Sequence, residues 1–298
     1  MKPAPFEYLA PTTLDEALAA LATYGEEAKV LAGGQSLVPL MNFRLARPRV
    51  LIDINRLAEL AYIHQEQDGL RFGALTRQAE AEASPLVRAA SPLLAQALRF
   101  VGHAAIRSRG TIGGSIAHAD PAAELPLLLV ALDGYVRARR VGGERTIAAQ
   151  EFFVDYLTTA LAPTELLTEV CLPASSLWDG ASFLELARRH GDYALVASVV
   201  LLRLAADGTC AEARIALAGV GPTPLRIPAA EAVLVGTGLD AARQEAAAQL
   251  AAEAIDPPSD IHGSADYRRR LARTLVQRGL AAAVRMATTG KTATGGER

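Results

Sequence analysis

A chain of 298 residues, 51% hydrophobic and 21% charged, has the composition of a folded globular protein long enough for two domains of roughly 100 to 200 residues each. Its 30 Lys and Arg against 32 Asp and Glu leave a formal net charge of -2, which argues against a protein that binds nucleic acid by neutralising phosphates. Its two cysteines, Cys171 and Cys210, cannot hold an iron–sulfur cluster, which needs about four thiolates, and neither stands at zinc-ligand spacing from a histidine.

The opening residues, Met1 to Tyr8, lack the apolar core of a signal peptide. The longest apolar runs, Leu125 to Leu132 and Ala194 to Leu202, fall short of the roughly 20 residues that cross a bilayer. The expectation is a cytoplasmic chain with no membrane span. Thr13 and Glu16 have capping-box spacing ahead of Leu14, Ala17, Leu18 and Leu21, which share one helical face and predict a first helix. Lys29 to Ala32 reads as a short strand running into Gly33-Gly34, with further strands at Arg49 to Ile54 and Leu70 to Ala74. From Pro85 to Phe100 the pattern is helical, so strands and helices alternate. A second glycine turn, Gly110 to Ser115, leads through a segment that is not simple helix into the apolar run from Leu125. Tyr135 to Arg139 and Glu165 to Leu172 read as strands, and Pro173 to Ser176 as a linker. Beyond a boundary near residue 176, Phe183 to Arg188, Val196 to Leu204 and Ala211 to Ala218 predict an antiparallel sheet with turns at Gly191-Asp192 and Asp207-Gly208. Helices follow from Asp240 to about Ile255 and from Ser264 to about Met286, and residues 288–298 are expected to be a mobile tail.

Either glycine turn alone is most often just a tight turn. The functional reading is that glycines let successive backbone N–H groups converge on an anionic oxygen, with Gln35 and Ser36 as added donors. Two such turns, each with a hydroxyl residue close behind, form the pattern expected when a pyrophosphate is gripped from both sides. Neither a GxGxxG fingerprint nor a P-loop is present, so a dinucleotide bound here would use a different fold. His118 and Asp120 form an HxD pair with no third ligand after it, and no metal site is assigned. Arg268 to Arg273 reads as the solvated face of a helix, or as a docking surface for a partner. Trp178 reads as a packing anchor.

Three strings, AGGQSL at 32–37, VGHAAIRSRGTIGGSIAHADPAAELP at 101–126 and RRHGDYA at 188–194, resemble the FAD-binding medium subunit of the molybdenum hydroxylases. That group includes the flavoprotein subunit of carbon monoxide dehydrogenase and the flavin domain of xanthine dehydrogenase, and the likeness covers nearly the whole chain. It implies an α+β fold: an FAD-binding domain of the p-cresol methylhydroxylase type over 1–176, made of two α/β subdomains at about 1–57 and 58–176. A smaller C-terminal domain of antiparallel sheet and helices would follow over 177–287. Carried over, it places Ala32, Gly33, Gly34, Gln35, Ser36 and Leu37 around the FAD pyrophosphate and ribityl chain, with Thr111, Gly113, Gly114, Ser115 and Ala117 gripping from the second subdomain. Val101, Gly102, His103 and Ile106 match a segment lining the cofactor, Glu124 an acceptor for FAD hydroxyls, and Tyr193 an aromatic near the isoalloxazine ring.

Two departures stand out. Relatives often carry His where this chain has Gln35, and many carry a Lys near Phe183, whereas Phe183-Leu184-Glu185-Leu186 offers none. A cation there would favour the anionic reduced flavin, so its absence bears on the flavin potential. The resemblance implies an oxidoreductase component with no catalytic acid, base or nucleophile of its own. It would accept electrons from two [2Fe-2S] clusters on a small subunit and pass them to an external acceptor, while a large subunit carries the molybdenum cofactor, the whole a dimer of heterotrimers. The alternatives are a free-standing FAD-dependent oxidoreductase acting directly on a small molecule, and a scaffold without cofactor.

Overall fold

The computed structural model describes residues 2–294. The first strand, β1 (Glu7–Leu9), precedes helix α1 (Leu14–Tyr24), whose start is fixed by the capping box read from the sequence. The Glu16 amide donates to Thr13 Oγ1 at 3.2 Å, and the Glu16 carboxylate accepts from the Thr12 and Thr13 amides at 2.7 and 3.3 Å. Strand β2 (Ala28–Leu31), helix α2 (Leu37–Asn42) and β3 (Val50–Asp53) complete a three-stranded parallel sheet in the order β1-β3-β2. Leu14, Ala17, Leu18 and Leu21 of α1 bury against Val50 and Ile52 of this sheet.

The second sheet is antiparallel. It takes β4 (Ile63–Glu66), β5 (Gly69–Gly73), β6 (Tyr135–Arg140) and β7 (Gly143–Ala148). After helix α9 (Ala149–Phe152) and a hairpin of β8 (Phe153–Asp155) and β9 (Thr158–Thr159), the chain returns through its middle as β10 (Leu166–Pro173), giving the order β4-β5-β10-β6-β7. Between β5 and β6 lie α3 (Gln78–Ala83), α4 (Pro85–Ala90), α5 (Pro92–Ala97), α6 (Ala104–Arg107), α7 (Ile112–His118) and α8 (Glu124–Ala131). The single helical pattern expected over 85–100 is two helices, because Pro92 supplies no N–H and holds Ser91 out of helical geometry (φ -141°, ψ 71°). The segment after Gly110 is helix at both ends, interrupted where Ala119 takes the left-handed conformation (φ 54°) that ends α7.

The expected linker is pinned. Ser175 is buried; its hydroxyl accepts from the Leu93 amide at 3.3 Å and pairs with Ser91 Oγ at 3.2 Å. Strands β11 (Gly180–Ala187), β12 (Ala194–Leu204), β13 (Cys210–Ala218) and β14 (Leu225–Arg226) then form an antiparallel sheet in sequence order. Its central strand is buried on both faces, which accounts for the unbroken apolar run from Ala194. Ala197, Val199 and Leu201 join the core of the first unit, where α8 and α5 pack, while Val196, Val200 and Leu202 share a core with α10 (Pro228–Ala232), α11 (Ala241–Glu253) and α12 (Ala265–Thr294), of which α12 packs on the strand. Trp178 is an anchor as expected, buried and covered by the guanidinium groups of Arg203 and Arg214, each 4.8 Å from its ring centroid.

Two expectations need correction. Arg268 is not on a solvated face: it is 5% exposed, donating to the Leu195 carbonyl at 2.5 Å and the Gly219 carbonyl at 3.3 Å while pairing with Asp260 at 2.8 Å. Helix α12 continues past Met286 to Thr294, so residues 288–294 of the expected tail are helical, and 295–298 lie outside the described residues.

Candidate functional site

The two glycine turns lie against each other. The first joins β2 to α2, with Gly34 in the left-handed region (φ 71°), and the backbone N–H groups of Gly33, Gly34, Gln35 and Ser36 donate to no acceptor among the described residues. Four successive unclaimed donors are suited to an anion. Gln35 turns its amide onto the Gly33 carbonyl at 3.0 Å, so it braces the turn rather than reaching outward. The second turn is built differently. Ile112 and Gly113 donate to the carbonyls of Thr76 and Ala74 at 2.9 and 3.0 Å, and Gly114 donates to Thr111 Oγ1 at 3.0 Å as Thr111 caps α7. Its donors are spent on docking to the end of β5, and what it offers is a close surface of Gly114, Ser115 and Ala117.

Absent side chains explain how near the turns come. A Cβ on Gly33 would lie 2.5 Å from the Arg109 carbonyl oxygen and 2.8 Å from Gly110 Cα, and one on Gly113 would lie 2.6 Å from Ala74. A Cβ added at Gly114 would stand 3.7 Å from Ala32 Cβ, so the first turn borders the second directly. A chain of hydrogen bonds runs alongside: Asn55 Nδ2 donates to the Ala32 carbonyl at 2.8 Å, Asn55 Oδ1 accepts from Arg77 at 2.7 Å, and Arg77 donates to the Arg109 carbonyl at 2.6 Å. Neither Asn55 nor Arg77 stood out in the sequence, since nothing local marks residues that meet only through the fold.

The loop after β11 closes the site from the C-terminal unit. Gly191 (φ 85°) packs where a Cβ would be 2.5 Å from the His103 ring, and the His103 and His190 rings meet edge-on at 6.2 Å. Tyr193 is 64% exposed, yet its hydroxyl interacts with Ser36 of the first turn. Partial burial of that hydroxyl and the charges of Asp120 and Glu124 raise its pKa, and the Ser36 bond opposes them. Gly102 (φ 50°) lies under Ile106, while Val101 buries its side chain in the apolar core and gives the site backbone alone.

Behind these groups lie two carboxyls that the sequence did not link. Glu124 opens α8 and is 8% exposed, accepting no hydrogen bond from another residue among those described. Burial, with Asp120 nearby, pushes it up to about 7. Glu185 on β11 has a buried Oε2 without a partner and is pushed up to about 8 by burial and by Glu124. No basic side chain is among the charges acting on either. Burial without a basic partner thus favours the protonated form of both. His118 is lowered by burial, with Asp120 opposing.

Unclaimed amide donors, side-chain-free turns and a buried acceptor fit a phosphorylated, hydroxylated cofactor such as FAD. They are the parts of a dinucleotide-binding flavoprotein on a non-Rossmann fold. The family model for the FAD binding domain in molybdopterin dehydrogenase matches residues 4–175, and that for the CO dehydrogenase flavoprotein C-terminal domain matches 181–283. The chain belongs to this family of FAD-binding medium subunits of molybdenum-containing oxidoreductases. It is 44% identical to the 6-hydroxypseudooxynicotine dehydrogenase complex subunit alpha of Paenarthrobacter nicotinovorans, over 96% of this chain and 97% of that one. Among solved structures it is similar to carbon monoxide dehydrogenase from Hydrogenophaga pseudoflava (TM-score 0.93, 40% identity, covering 96% of this chain and 99% of that one). It is likewise similar to quinoline 2-oxidoreductase from Pseudomonas putida 86 (TM-score 0.91, 39% identity, 96% and 99%). Among the described residues, no helix is long and apolar enough to cross a membrane.

Proposed function

We propose that this chain is the electron-transferring FAD subunit of a heterotrimeric molybdenum hydroxylase. It accepts electrons from [2Fe-2S] clusters on a small subunit and delivers them to an external acceptor, while a large subunit holds the molybdenum cofactor and oxidises the substrate. The reading includes a dimer of heterotrimers in the cytoplasm and a division of the chain at about residue 176. The observation that carries it is the run of four unclaimed amide donors at Gly33–Ser36 set against Gly114 and Ala32.

When bound, the flavin supplies the chemistry that gathers electrons arriving one at a time into a pair, and the chain's own residues bind, orient and tune. The Gly33–Ser36 amides would hold the pyrophosphate, and Gly114, Ser115 and Ala117 would close against it. Leu37, Gly102, His103 and Ile106 would border the rest of the cofactor, with Thr111 fixing Gly114 from behind. Glu124 would accept from a cofactor hydroxyl, and Tyr193 would cover the site beside Ser36. With burial pushing Glu124 and Glu185 toward their protonated forms and no lysine at Glu185, these residues would place no cation beside the reduced cofactor.

The relatives above are named for an N-heteroaromatic compound, a pyridine derivative and carbon monoxide, and the substrate class of this assembly rests with its large subunit. Expressing the chain with and without its two partner subunits tests the division of labour. Substrate should bleach the flavin only when both partners are present. Direct bleaching by a small molecule in the isolated chain would favour a free-standing oxidoreductase instead.

A further inference from the structure

The geometry points to Asn55 and Arg77 as positioning residues for FAD: together they form a strut that sets the spacing of the two glycine turns. The inference rests on the reading of those turns as the FAD site. Each residue is locked to its own side of the junction. Asn55 follows β3, and its backbone N–H and side-chain amide both donate to Asp53 Oδ1, at 2.9 and 2.6 Å, so its carboxamide has one satisfying orientation. In that orientation Nδ2 holds the Ala32 carbonyl and Oδ1 faces Arg77.

On the other side, the backbone around Arg77 is joined to the second turn. Gln78 donates to the Gly110 carbonyl and Ile112 to the Thr76 carbonyl, each at 2.9 Å, and Arg77 bridges Thr111. The guanidinium then divides its donors, one nitrogen on Asn55 Oδ1 and another on the Arg109 carbonyl. That carbonyl is the atom against which Gly33 packs. A planar fork can span two acceptors in fixed geometry, which a single ammonium cannot. The strut therefore holds the Gly33 amides and the Gly114 surface at one separation, and an FAD pyrophosphate bound between them would feel any change in it.

The test is FAD affinity of the full-length chain after flavin removal, followed by quenching of FAD fluorescence, for wild type, R77M, R77K, N55A and the double variant N55A/R77M. Folding of each variant is checked by thermal unfolding without FAD. Breaking the strut should weaken FAD binding by about tenfold, the equivalent of roughly 1.4 kcal/mol for one well-formed hydrogen-bonded link. R77K should be as weak as R77M. The double variant should be no weaker than the poorer single one, because a strut is broken only once.

Wild-type affinity in a folded R77M or N55A would overturn the proposal. So would recovery in R77K, which would assign the effect to charge, or full additivity in the double variant. A wild-type chain that bound no FAD would overturn the FAD reading itself and the strut with it, whereas FAD binding that ignored all four variants would remove only the strut.

Discussion

Gly33→Ala is the most economical probe of how the turns meet. The added Cβ would start 2.5 Å from the Arg109 carbonyl oxygen and 2.8 Å from Gly110 Cα, whereas ordinary van der Waals contact begins at 3.4 Å, so the backbone at Arg109 must withdraw by roughly 0.9 Å. Both obstructing atoms are backbone, and neither can swing aside as a side-chain tip could. Overpacking of this kind costs about 1–3 kcal/mol. If the turns part to relieve it, that cost falls on the bound state, and FAD affinity should drop by roughly 5- to 150-fold. The assay is FAD titration with apo-chain thermal unfolding alongside. Gly143→Ala is the control, since nothing lies within 4 Å of the Cβ it would add. A folded Gly33→Ala chain with unchanged melting temperature and FAD affinity within twofold of wild type would refute the close approach.

Three further outcomes are expected. Glu124 and Glu185 have pKa values raised to about 7 and about 8 from an ordinary 4.5, so between those limits the folded chain binds more protons than the unfolded one. Stability of the apo chain should therefore fall as pH rises from about 5 to 8 and level off above. In E185Q the fall should be shallower, and identical profiles would show that Glu185 is not a buried acid; the opposing trend from His118 is common to both chains and cancels. Arg268→Ala leaves the Leu195 and Gly219 carbonyls without their donor and should cost about 3 kcal/mol, at 1–3 kcal/mol per buried group, read as a lower urea midpoint. An unchanged midpoint would restore the solvated reading of that helix face. Tyr193→Phe removes the hydroxyl that meets Ser36 and should weaken FAD binding severalfold with little change in apo-chain melting; equal affinity would separate Tyr193 from the site.

What the sequence disclosed was mostly local. The Thr13–Glu16 capping box, the strands leading into and away from Gly33-Gly34, and the apolar run of β12 each carry their signal within about ten residues. The break at Ser91-Pro92 was also local, but apolar spacing across 85–100 outweighed it. Other features depend on contacts far along the chain. Arg268 lies among arginines whose spacing reads as a wet helix face, and only the carbonyls of Leu195 and Gly219, 73 and 49 residues away, make it a core residue. Glu124 and Glu185 stand on different elements, and Glu124 raises Glu185 only because α8 packs on the C-terminal sheet. The two glycine turns were legible as motifs. Their inequality, one with unclaimed donors and the other with donors spent on Thr76, Ala74 and Thr111, required coordinates.

The central claim, that this chain carries FAD and leaves metal chemistry to its partners, is tested most directly by the visible spectrum of the purified chain and the nucleotide it releases on denaturation. The account predicts a flavin spectrum without iron–sulfur absorption and release of noncovalent FAD at about one per chain. A colourless chain that took up no added FAD would contradict it.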